Sequence, residues 1–257
     1  MVDAWNNKVP LSAVIFETFI SIILVAVVVL ILMKYVQRRK KPVLYLFLTF
    51  SSFTLASVIS TIGRWIGYLA PDGSYLTVSY TDLTTMTAFL LIAISNCFVI
   101  AFVETVFANK GVDFALPFLV TNGIVVGMSL EAIVYWFSNK EFGLIRDRFY
   151  ILVLLAIISL VSYGIMIYFA FKESRHNTEK LPRTGFNLIA VYGISVSLLF
   201  IFFALDSVSI TLIAAFSKGY SPFYYLGWTF AMIGVFLGYL GYIMPGWLKN
   251  LILRKDS

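Results

Sequence analysis

The stretch GYSPFYYLGWTFAMIGVFLGYLGYIMPGWL, Gly219 to Leu248, carries no charged residue. At ~1.5 Å of rise per residue, a helix of this length crosses a ~30 Å hydrocarbon layer with turns to spare. Its small residues fall at Gly227, Ala231, Gly234, Gly238 and Gly241. At about 100° per residue all five lie within a sector of about 80°, so one side of the helix is a smooth groove. In lipid, apolar side chains gain little by leaving their solvent, and such grooves let helices approach closely. The spacing predicts the hub of a helix bundle, with Pro245 at its exit and Trp247 and Lys249 as interface anchors. Val235, about 100° from Gly234, is expected to matter less because it would face lipid. Gly123 and Gly127 form a second, shorter pair with the same expected packing role.

Composition points the same way. Hydrophobic residues make up 60% of the 257 positions, charged residues 12%, and the mean hydropathy is +0.92. A soluble domain carries about 25% charged residues, so this is the composition of an integral membrane protein. The net charge of +6 does not point to nucleic acid, because the bases gather on one side of the membrane. The sole cysteine, Cys97, lies in an apolar run and permits no intrachain disulfide.

Read in order, the chain is one seven-helix domain, with helices predicted at 11–33, 42–69, 80–107, 112–137, 149–171, 184–216 and 219–248. The first is too long for a cleavable leader and has no basic segment before it. Pro42 suits the first turn of the second helix. Pro71 to Ser74 and Asn109 to Gly111 read as turns. Lys172 to Arg183 is the most polar segment and reads as a loop holding the only histidine, His176. The loops after helices one, three and five and the C-terminal end hold 13 Lys and Arg, against 5 on the other side. The positive-inside rule then puts the N-terminus outside and the C-terminus in the cytoplasm of a cell membrane. Trp5, Trp65, Trp136 and Trp228 all fall near the outer interface in that orientation. Helices one to three and five to seven share one orientation, a three-plus-one-plus-three layout.

Ionisable groups at membrane depth are costly and ask for a partner or a purpose. In the outer half these are Glu17, Arg64, Asp82, Glu131 and Asp206. Glu17 shares a helical face with Ala13 and Ser21, Arg64 with Ser57, Ser60 and Gly67, and Asp206 lies in line with Ser195. Small and hydroxyl neighbours mark bundle-facing sides, so these groups outline an outward-opening polar cavity. Snorkelling to interfacial water or structural pairing accounts for all but Asp206. Asp206 lies some ten residues from its helix end, and its alternative is a buried, hydrogen-bonded or paired carboxylate that only fixes helix register. Arg64 and Asp206 are expected to pair or to line one cavity. Near the opposite end Glu104 has Lys34, Lys110 and Lys172 as expected partners. Tyr224, Tyr225 and Trp228 would stand at the outer mouth, as an aromatic belt or as a wall for a cationic or amphipathic ligand.

Several activities find no residues to carry them. The last helix has no lysine for a retinal pigment, and the third ends Val103-Glu104-Thr105-Val106-Phe107, without the acid-Arg-Tyr of G-protein-coupled receptors. A single histidine supports no zinc site. No catalysis, cofactor or metal is expected. The ending Gly238-Tyr239-Leu240-Gly241-Tyr242-Ile243-Met244-Pro245-Gly246-Trp247-Leu248-Lys249 resembles the exit of the prokaryotic seven-helix sensor regions found N-terminal to some histidine kinases. Those regions continue into a cytoplasmic output domain, and this sequence stops at Ser257, so the resemblance implies a separate signalling partner. The basic loops Lys34 to Lys41 and Lys172 to Arg183 offer surfaces for it, with anionic lipid as their simplest partner. The leading expectation is therefore a sensor or receptor-like module with an outward-facing polar pocket. A small-solute transporter and an accessory subunit of a membrane complex are the alternatives, and charge on a lipid-facing side would favour the subunit.

Overall fold

Long apolar stretches in lipid must satisfy their backbone internally, and this chain does so with helices throughout. A computed structural model describes residues 9–70, 75–107, 115–139, 145–212 and 220–253. Among these the elements are α1 (Leu11–Arg38), α2 (Lys41–Leu69), α3 (Tyr75–Phe107), α4 (Ala115–Asn139), α5 (Ile145–His176), α6 (Lys180–Leu212), α7 (Pro222–Ile243) and α8 (Gly246–Leu253). The first seven each contain a segment long and apolar enough to span a membrane. The turns anticipated at Pro71–Ser74 and Asn109–Gly111 lie outside the described residues.

Most helix boundaries shift by a few residues, and two of the differences change the fold. Helix α7 starts at Pro222 and stops at Ile243, because Met244 takes a left-handed conformation (φ 45°) and Pro245 follows. The remaining residues form α8, too short to cross a membrane, with Trp247, Leu251 and Leu253 all exposed. That pattern suits a helix lying along the lipid surface. The polar segment Lys172–Arg183 is largely helix, not loop. α5 runs on to His176 and α6 begins at Lys180. Charge moves a segment out of lipid without preventing a helix there. The short hairpin is pinned where Ser174 Oγ donates to Asn187 Oδ1 at 2.6 Å and to the Arg183 carbonyl at 3.3 Å.

Six helices close a ring in the order α1, α2, α3, α5, α6, α7, each packed on its neighbours, with α7 returning to α1. α4 lies outside it against α3 and α5, and its span is only 22% buried, against 39–50% for the others. The glycine groove of α7 faces α6. A methyl group on Gly234 would meet Ser195 and Val196, and one on Gly241 would stand 3.0 Å from the Gly185 carbonyl and from Ile189 N. α7 also touches helices beyond α6. Gly238 abuts Phe50 of α2, Tyr242 packs on Phe102 of α3, and Tyr225 packs on Phe16 of α1. Val235 is accordingly buried, not lipid-facing. The exposed side of α7 is narrower and carries Leu226, Ile233 and Phe236 instead.

Gly123 and Gly127 depart from expectation in the opposite direction. Both are exposed on α4, and a methyl group on either would meet nothing within 4 Å. Among the described residues they pack against no other helix. The close approach of α2 and α3 depends instead on Gly63, where an added carbon would run into the Thr84 side chain.

Candidate functional site

The polar residues gather at the end of the bundle where the chain begins. Glu17 lies in the second turn of α1 with its residue only 1% exposed, held there by the inward face it shares with Ala13 and Ser21. Ser60 donates to Glu17 Oε1 at 3.2 Å. Arg64, one turn further along α2, brings its Nε to 3.8 Å from Glu17 Oε2. Below this pair Ser21 bonds to Ser57 at 2.7 Å and to Thr61 at 2.9 Å, which fixes α1 against α2. Trp65 Nε1 donates to Thr18 at 2.9 Å on the same seam.

Helix α7 and its lead-in supply the aromatic side. The Arg64 guanidinium carbon stands 5.4 Å from the ring centre of Tyr220 and 6.0 Å from that of Tyr224, within cation–π range. Tyr224 and Trp228 share one face of α7, four residues apart, and both are buried. The Tyr224 hydroxyl and the Trp228 indole N–H are directed at the Glu17 carboxylate without closing a hydrogen bond of good geometry. Glu17 Oε2, Arg64 Nε, Tyr224 OH and Trp228 Nε1 are each buried without a hydrogen-bond partner. Their convergence on one point is the main chemical feature of the molecule.

Asp206 does not pair with Arg64. Its Oδ1 accepts from Ser221 N at 3.0 Å and from Ser221 Oγ at 2.6 Å, while Ser221 Oγ in turn accepts from Phe223 N at 3.2 Å. Asp206 thus fastens the start of α7 to α6, the hydrogen-bonded structural role that is the alternative to a ligand role. It and Asp82, half-buried on α3, remain within electrostatic range of Arg64. Glu131 stands apart from the site, exposed on α4. Glu104 is half-buried and makes no ion pair among the described residues. Lys34 donates to Gln37 at 2.8 Å and Lys172 lies over the Tyr168 ring. Lys110 lies outside the described residues.

Tyr220, Ser60 and Ser221 have site roles that the sequence did not single out as such. For Ser221 a signal existed, since Ser followed by Pro is a helix-start pattern. Tyr220 carried none, because its value lies in a cross-bundle ring contact. Beneath the site the interior is filled by rings. Phe50 packs on Tyr192, Tyr192 on Tyr163, and Tyr163 on Phe200, with centroids 5.2, 5.8 and 6.3 Å apart.

No protein-family model, curated protein or solved structure matches the chain.

Proposed function

We propose that the protein is a sensor or receptor-like membrane module. It lies in the cell membrane with its N-terminus outside, binds a small polar ligand beside Arg64 and Glu17, and signals through a separate partner. The observation that carries this reading is a buried ion pair, Glu17 and Arg64, whose Oε2 and Nε make no hydrogen bond, faced by two more buried donors without one, Tyr224 OH and Trp228 Nε1. A pair serving structure alone gains by closing its hydrogen bonds, because unmet groups in a low-dielectric interior are costly. The orientation rests on the asymmetry of 13 bases against 5, which puts the site at the outer face. The packed rings of Phe50, Tyr192, Tyr163 and Phe200 beneath the site support reception over passage. The resemblance of the α7 exit to kinase-linked sensor regions agrees with a module that hands its signal on.

Binding without flux is the test. Protein in lipid nanodiscs should be stabilised by a small polar ligand in a manner lost in Arg64→Gln, while proteoliposomes take up none of it. Uptake of the same solute would replace the receptor with the transporter.

One observation favours the subunit reading for a different surface. Gly123, Gly127 and Glu131 fall one helical turn apart on the exposed side of α4, among exposed Val120, Ile124 and Val134. Closely spaced glycines accept another membrane helix, and a carboxylate at membrane depth asks for a donor from it. This is where a signalling partner would bind.

A further inference from the structure

The unmet groups around Arg64 define what would meet them. Arg64 Nε, Trp228 Nε1 and Tyr224 OH can donate, and Glu17 Oε2 can only accept while ionised. An occupant must therefore bring acceptors for several donors and at least one donor for Glu17. Charge narrows the choice further. Glu17 already balances Arg64, and Asp82 and Asp206 add negative potential nearby. A bare anion would be repelled by those carboxylates. A bare cation would leave the donors unmet and would oppose Arg64. A molecule carrying both signs satisfies both sides. Arg64 Nε and Glu17 Oε2 stand only 3.8 Å apart, so its two charged groups must be close neighbours, as they are when attached to one carbon.

We infer that the site takes a small α-amino acid zwitterion. Its carboxylate is held by Arg64, Tyr224 and Trp228, and its ammonium by Glu17. This deepens the receptor reading above and rests on it. The tyrosine faces hold Arg64 by cation–π contact, which keeps the guanidinium aimed at the carboxylate position when Glu17 turns to the ammonium.

The full-length protein in lipid nanodiscs is titrated with glycine, L-alanine and L-leucine, and with acetate, methylammonium and glucose, by calorimetry and thermal unfolding. The expected result is saturable binding of at least one amino acid and of neither acetate nor methylammonium. Trp228→Phe and Tyr224→Phe keep their rings but lose one donor each. Each should weaken binding about tenfold, the scale of one lost hydrogen bond, with melting temperatures close to the parent's. Amino-acid binding unchanged in both variants overturns the site assignment. Binding of glucose or acetate alone, weakened by the same variants, overturns the zwitterion and leaves the receptor pocket standing. If no probe binds and a nanodisc structure shows water alone joining the four atoms, both readings fall.

Discussion

Asp206 on α6 caps α7 from outside, its Oδ1 accepting both the backbone N–H and the hydroxyl of Ser221. A carboxylate that receives two hydrogen bonds at a helix start is satisfied in place, and the N-terminal end of the helix dipole favours it there.

Asp206→Ala is expected to destabilise the protein by about 1–3 kcal/mol, the cost of leaving buried donors unmet. Asp206→Asn keeps an acceptor and should cost about 1 kcal/mol or less. Thermal unfolding in nanodiscs separates the two. Equal losses for both would show that charge, not capping, is what Asp206 supplies.

Glu17→Gln strands the Arg64 charge and should cost about 3–5 kcal/mol, the usual scale for breaking a buried pair. Combining it with Arg64→Met removes both charges, and most of that stability should return. The comparison is a double-mutant cycle on unfolding free energy. Strict additivity would mean the two groups do not interact.

Substitution on the two glycine-bearing helices should give opposite results. Gly241→Leu pushes against backbone atoms of α6 at 3.0 Å and should cost at least about 1–3 kcal/mol, as overpacking does. Gly127→Leu meets nothing within 4 Å and should stay within about 0.5 kcal/mol of the parent. A large loss from Gly127→Leu in the isolated protein would mean that α4 packs more closely than described.

Orientation is tested by cysteine labelling in a Cys97→Ser background. Ala70→Cys, at the end of α2, should react with a membrane-impermeant maleimide on intact cells. Thr178→Cys, in the α5–α6 hairpin, should react only after permeabilisation. The reverse pattern would turn the bundle over and move the Arg64 site to the cytoplasmic face.

The α6–α7 seam was legible because helical spacing puts small residues on one face, and a close seam in lipid needs a face of that kind. The same logic placed Glu17 and Arg64 on inward sides. It did not pair them, since periodicity gives a direction around each helix and not the order of helices around the ring. Arg64 meets Glu17 because α1 lies between α2 and α7, and Asp206 is drawn instead to the turn that its own helix precedes. For α4 the pattern was ambiguous in principle. A glycine pair prepares a helix for close contact, but nothing in its spacing says whether the contacting helix belongs to the same chain. Polarity at Lys172–Arg183 reads as a loop, yet it only says that the segment leaves lipid, and helices continue readily into water.

Helix α6 is unbroken over 33 residues. At ~1.5 Å per residue it is a rod of ~50 Å. Asp206, near one tip, is tied to the lead-in of α7 beside the Arg64 site, and the other tip belongs to the hairpin locked by Ser174 and Asn187. One continuous helix therefore joins the lead-in of α7 at one end of the bundle to Lys180 and Arg183 at the other, so the two ends share a single rigid backbone.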